Sequence, residues 1–307
     1  MQNEDYERAI ESFEKAISEG MDLSVAYNNK GVALLRLGRC NESISSLDTA
    51  ITMNQANPDS YINLALAQLC DGHRDAAYQT LERGGHYSEN NSGILLMRAK
   101  MGVEDSLYEG AIDDYSRLLD FEPDNADLWY ELSNLRFALN DYQGAYEAIQ
   151  NATNLSRDDP IMYYNKGVIE EQLAQFRKAL ASYEMSINLD PSNIKPYFNI
   201  GAIYWNHYRL NESVKAFSTV VELDPSFSEG WFFLGLAQKE LGLLNESTSS
   251  FTKAASLNPS NKMYTAYAER YGSLPADMKT RPIPVSMINI VTILLLLLVW
   301  SGKNYHK

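Results

Sequence analysis

Cysteine is nearly absent: Cys40 and Cys70 are the only two in 307 residues, and they stand in no C-x-x-C or other metal-ligand spacing. That excludes a disulfide-rich scaffold and a cysteine-held metal, and it reads both thiols as isolated small packing residues. Histidine is equally sparse, with His73, His86, His207 and His306 scattered along the chain. No H-E-x-x-H pair, nucleophile elbow or glycine-rich phosphate loop occurs, so the expectation is no enzyme, no catalytic residue, no cofactor, no metal and no small-molecule substrate. The run Asp120 to Asn125 has the acidity of a calcium loop but lacks its central glycine. Positive charge is also short, with 26 Lys and Arg against 40 Asp and Glu for a net charge of -14. That sign is wrong for a nucleic-acid backbone and leaves a basic or neutral protein partner. The opening MQNEDYERAIESFEKAI has neither a basic n-region nor an apolar h-region, so the sequence as given carries no signal peptide.

What is present is periodicity. An offset of 34 residues aligns the chain without a gap over 24–261, in seven repeats: 24–57, 58–91, 92–125, 126–159, 160–193, 194–227 and 228–261. Each reads as two apolar-periodic helical stretches around a short turn. The eighth position is small in every repeat (Gly31, Ala65, Ala99, Ser133, Gly167, Gly201, Gly235), as is the twentieth (Ser43, Ala77, Ala111, Ala145, Ala179, Ser213, Ser247). Two helices can therefore approach closely within one hairpin. Large residues recur at position 4, from Tyr27 to Trp231, and at position 24, from Leu47 to Phe251, and fill the core. Pro123, Pro191, Pro225 and Pro259 share position 32, where proline ends one helix and pre-sets the next turn.

This pattern resembles the tetratricopeptide repeat family across nearly four fifths of the chain. The resemblance implies an all-α, right-handed superhelical solenoid of 34-residue helix-turn-helix repeats. The repeat 92–125 departs most, with Arg98 where the family prefers leucine. Residues 1–23 match only a second helix, either a cap or the downstream piece of a longer protein. Residues 262–272 resemble the capping helix that covers the last apolar face of such arrays.

Beyond a linker at 273–284 the sequence reads as a C-terminal transmembrane helix at 285–301 followed by a basic tail at 302–307. The apolar run ILLLLLVW ends at Trp300, with Lys303, His306 and Lys307 behind it; from Ile283 it is roughly 27 Å long as a helix, near the lower limit for a span. The expectation is a single-pass membrane protein with the membrane as partner. Lys279 and Arg281 before the run balance Lys303 and Lys307 after it, so two topologies remain: tail-anchored with cytoplasmic repeats, or repeats outside if an upstream signal sequence exists.

Six N-x-S/T sequons, at Asn41, Asn90, Asn151, Asn154, Asn211 and Asn245, are candidate glycosylation sites. Three of them, Asn41, Asn211 and Asn245, occupy one repeat position. A helix-capping role for asparagine and a packing role for serine explain the same pattern.

The family resemblance places the first helices on a concave groove. Position 6 carries Asn29, Asn63, Asn165 and Asn199, amides able to pair with an extended peptide backbone. Tyr130, Tyr164, Phe198 and Phe232 at position 5, with Trp205 at position 12, are candidate aromatic anchors. Val25, Asp59, Asp127 and Ile161, with Lys195 alone basic, do not form the family's carboxylate clamp. The expected function is a membrane-anchored scaffold or adaptor binding a protein or extended peptide in its groove. The alternatives are a structural spacer of an extracytoplasmic or secretion assembly, and the C-terminal part of a longer protein.

Overall fold

A computed structural model describes residues 2–273, all of whose regular structure is helical. A single helix α1 (Gln2–Ser18) comes first. Seven pairs follow: α2 (Leu23–Arg36) with α3 (Cys40–Met53), α4 (Pro58–Cys70) with α5 (Arg74–Tyr87), α6 (Ser92–Glu104) with α7 (Tyr108–Phe121), and α8 (Ala126–Ala138) with α9 (Tyr142–Leu155). The later pairs are α10 (Pro160–Gln172) with α11 (Phe176–Leu189), α12 (Ile194–Asn206) with α13 (Leu210–Leu223), and α14 (Ser228–Glu240) with α15 (Leu244–Leu257); α16 (Lys262–Gly272) ends the described chain. The helices group into two compact units, one up to Leu155 and one from Ser156.

Steric rules at fixed positions build each pair. A Cβ on Gly201 would lie 2.9 Å from the Phe217 ring and one on Gly235 2.7 Å from the Phe251 ring, so the small eighth residue makes room for the large twenty-fourth. Serine at position 20 adds a bond across the same contact. Ser43, Ser213 and Ser247 Oγ donate to the carbonyls of Gly31, Gly201 and Gly235 at 2.7, 2.9 and 2.9 Å.

Asn57, Asn91, Asn125, Asp159, Asn193 and Asn261 cap the helices that follow them, each accepting from a backbone N–H. At the equivalent place Phe227 makes no side-chain cap and packs instead against Phe198, with centroids 5.8 Å apart. Asn125 thus turns the acidic run Asp120 to Asn125 into an ordinary helix start. Every hairpin turn uses a left-handed residue: Gly38, Gly72 and Gly242 where glycine is available, but Ser106, Asn140, Ala174 and Tyr208 elsewhere.

Two expectations are corrected. No described helix is long and apolar enough to cross a membrane. The longest, α1, has 17 residues and is studded with charge, short of the roughly 20 apolar residues a span requires. The single-pass membrane assignment is withdrawn on that finding; residues 285–301, on which it rested, lie outside the described residues, as do the tail 302–307 and the linker beyond 273. The second correction concerns the cysteines. Cys40, at the start of α3, and Cys70, at the end of α4, form a disulfide with Cα atoms 5.9 Å apart, inside the range a bridge requires. Thirty residues separate them in sequence, and stacking one hairpin turn on the next brings them together.

Candidate functional site

The first helices of successive repeats in the first unit touch one another, α2 against α4 and α4 against α6, and form one continuous row. Its centre is an amide cluster. Asn28 Oδ1 accepts from Asn63 Nδ2 at 3.1 Å and from Ser60 Oγ at 3.2 Å, while Asn28 Nδ2 donates to Asn29 Oδ1 at 3.2 Å. Asn28 is buried, whereas Asn29 and Asn63 are half-buried. Among the described residues, this network leaves the Asn29 amide nitrogen and the Asn63 amide oxygen unengaged by protein.

The second unit uses its asparagines differently. Asn165 and Asn199 are each 8% exposed. Asn199 Nδ2 donates to the Tyr183 hydroxyl at 2.9 Å, and that hydroxyl donates to the Glu171 carboxylate. Burial pushes the Glu171 carboxyl up to about 7 and drives the Tyr183 phenol well above its ordinary value. Burial raises the Tyr164 phenol as well, and its ring lies 5.8 Å from that of Tyr183. Beside them Glu170, also raised by burial, accepts from Ser182 Oγ at 2.7 Å. These groups make a largely buried polar knot, with Tyr164 and Glu171 at its half-buried edge, that joins α10, α11 and α12.

The aromatic candidates divide. Tyr130, Tyr164 and Trp205 are half-buried and reach the surface in part. Phe198 and Phe232, at 1% and 2% exposure, are corrected from groove anchors to core. The Phe198 ring meets Phe217 at 5.3 Å and Phe233 at 5.1 Å, and Phe232 stacks on Tyr264 at 4.7 Å.

All six sequon asparagines are exposed. Asn41, Asn211 and Asn245 are the second residues of α3, α13 and α15; Asn151 and Asn154 lie on α9. Asn90 sits between α5 and α6, where its Oδ1 accepts from Arg117 Nη2 at 3.2 Å. The serine hydroxyls at positions 43, 213 and 247 are buried against helix carbonyls, so those serines have a packing reason of their own.

Sequence reasoning passed over Asn28 and Glu171. A signal for the second existed: position 12 reads Leu35, Leu69, Val103, Phe137, Glu171, Trp205 and Lys239, two charges in an otherwise apolar column. Glu171 is half-buried like the apolar residues of the column, and Lys239 goes further in, to 7% exposure beside the Glu240 carboxylate at 2.8 Å.

Profiles described as tetratricopeptide repeat match residues 1–60, 103–165, 161–193, 194–227 and 228–261. No curated protein matches the chain. Among solved structures it is similar to the C-terminal part of a TPR repeat-containing protein from Cytophaga hutchinsonii, with a TM-score of 0.64 at 13% identity over 77% of this chain and 97% of that one. It is also similar to YrrB, described as a TPR protein with an unusual peptide-binding site (TM-score 0.53, 18% identity, 63% and 100% covered). A third is MamA from Desulfovibrio magneticus RS-1 (TM-score 0.52, 20% identity, 56% and 97% covered). At these identities the likeness is one of fold.

Proposed function

Because the chain is built of tetratricopeptide repeats, we propose that it is a scaffold that holds a protein partner by an extended segment laid along the first helices of its repeats. The observation that carries this reading is the pair of unengaged amide groups in the first unit. Asn29 offers a donor and Asn63 an acceptor, half-exposed on adjacent repeats and held in register through Asn28. An extended backbone presents the complementary C=O and N–H. Packed helices lie about 9 Å apart and an extended chain rises about 3.3 Å per residue, so roughly every third peptide group meets the next repeat. Such pairing is indifferent to side chains. Selectivity comes from apolar contacts: Val25 and Leu66 are exposed beside the amides, and Tyr130, Tyr164 and Trp205 show part of their rings. Asn199 acts as a positioning residue through the Tyr183 and Glu171 knot, and Asn165 is buried to the same degree. The peptide-binding description of YrrB supports this use of the fold.

The test is selection from a displayed library of random peptides on the wild-type chain and on Asn29→Ala/Asn63→Ala. The wild type should enrich extended sequences and the double variant should lose at least tenfold of that affinity. Equal enrichment on both would sink the groove reading and favour a spacer. The six exposed asparagines are carried as candidate N-glycan acceptors, and intact mass of the native protein tests them: an unmodified mass removes all six.

A further inference from the structure

Within each unit, where one hairpin turn stacks on the next, a residue at position 17 can meet positions 13 and 14 of the following repeat, as Cys40 meets Cys70, Arg74 meets Glu104 and Asp105, and Phe176 meets His207. In the first unit two of these seams are closed, by Cys40 with Cys70 and by Arg74 with Glu104 and Asp105 at 2.8 and 2.6 Å. In the second unit, Phe176 meets His207 edge to face, at 4.7 Å, and the seam opens into a cleft of about 580 Å3. Its walls are apolar, formed by Phe176 and Leu180 from one repeat and Ile203 and Tyr204 from the next. In its lining Gln175 Oε1 is buried with no hydrogen-bond partner, an acceptor left desolvated.

The rim has the opposite sign to the protein. Arg177, Lys178 and Arg209 surround the cleft in a chain of net charge -14. Arg209 is part-neutralised by Glu212 at 2.7 Å and its guanidinium lies over the Tyr204 ring at 4.5 Å; Arg177 and Lys178 are exposed. An anionic segment is repelled by most of this surface and drawn to this patch. The two turns beside it place Ala174 and Tyr208 at φ 56 and 57, where three other turns use glycine, and Tyr208 is 67% exposed.

We infer that this cleft is a second docking site, separate from the amide row, for an acidic peptide segment of a protein partner. One apolar side chain of the segment enters between Phe176 and Tyr204, the half-buried Gln175 side chain turns to accept from a backbone N–H, and flanking carboxylates face Arg177 and Arg209. The pairing needs both halves of that chemistry, because the walls select an apolar anchor and the rim selects its acidic neighbours.

The experiment is fluorescence anisotropy with the full chain and a short fluorescein-labelled peptide bearing aspartates and glutamates on both sides of one phenylalanine. Saturable binding is expected, weakening as salt rises. It should fall at least tenfold with Arg177→Glu/Lys178→Glu and, independently, with Phe176→Ala, while Asn29→Ala/Asn63→Ala stays within twofold. All five substituted side chains, Phe176, Arg177, Lys178, Asn29 and Asn63, are at least part-exposed, and each variant is read beside its own melting curve. The inference is overturned if the peptide does not bind. It is equally overturned if the same peptide with asparagine and glutamine in place of its aspartates and glutamates binds as well, or if the charge reversal leaves affinity within twofold. Loss of binding in Asn29→Ala/Asn63→Ala alone would assign the peptide to the amide row instead.

Discussion

In the first unit, successive turns are tied by a disulfide at Cys40 and Cys70 and by the Arg74 ion pairs, and α6 and α7 share a largely buried pair, Arg98 with Asp114. In the second, rings do the equivalent work: Phe198, Phe217, Phe232, Phe233, Phe251, Tyr264 and Tyr271 form one cluster, and the polar content is the Glu171 knot. The first unit's cores are smaller and mostly aliphatic, as in the group of Leu47, Ile51, Tyr61, Leu64 and Ala67. Both arrangements preserve the same small-against-large contact between positions 8 and 24. With that contact kept, the remaining positions are free to differ in chemistry, and the two units should respond to different perturbations.

The largest effect is expected from emptying the aromatic cluster. Phe232→Ala removes a ring 2% exposed and should cost about 4 kcal/mol, measured by urea unfolding. Amide exchange should rise in α14 and α15 and stay near wild type in α3 and α4. Somewhat smaller is the loss from Arg98→Leu, about 3 kcal/mol, because the Asp114 side chain, 2% exposed, is left charged without its partner. Arg98→Leu/Asp114→Ala should recover most of that loss. If the double variant is no more stable than the single one, the penalty does not come from the stranded carboxylate.

These contrasts also show what was legible. The helical hairpins could be read because positions 8, 20 and 24 obey a local steric rule that repeats seven times, and a glycine facing Phe217 or Phe251 has no substitute. Phe198 and Phe232 were placed on the groove because position 5 adjoins the asparagine position. Their burial depends on rings from neighbouring helices, Phe217, Phe233 and Tyr264, and a single repeat does not display those neighbours. The cysteines were read apart for a related reason: their proximity arises from the stacking of two turns, not from a motif. Asn28 escaped notice because its role is defined by Ser60 and Asn63 on the next repeat.

Reduction of the disulfide sharpens the comparison from the other side. Opening a loop of sequence separation 30 should lower stability by about 2–3 kcal/mol. Exchange protection should drop in α3 and α4 on adding reductant, and α12 to α15 should not respond. A uniform loss across both units would mean that the bridge acts on the whole chain, and no change at all would mean that the two sulfurs are not bonded in the native protein.

The second unit, with Glu170 and Glu171 both raised by burial against Glu131 alone among the described carboxyls of the first, should answer more strongly to pH. The folded Glu171 carboxyl titrates at about 7 against an ordinary 4.5, because burial disfavours its charged form more than the Tyr183 hydroxyl stabilises it. Between those two values the folded state holds a proton that the unfolded state has released, so stability falls as pH rises across this window. Below it the group is neutral in both states and the favourable contribution is complete; above it, folding must bury a carboxylate. Burial also raises Glu170 and Glu131, which slope the same way, so the wild-type curve alone does not isolate Glu171. Glu171→Gln does, since the amide keeps the acceptor for Tyr183 and cannot ionise. Its advantage over wild type should be near zero at pH 4.5 and grow to about 2 kcal/mol at pH 8, read from urea midpoints with α10 to α12 followed by exchange. Parallel curves for the two proteins would show that the carboxylate is already solvated where it stands, and the knot would then be a surface feature rather than the polar centre of its unit.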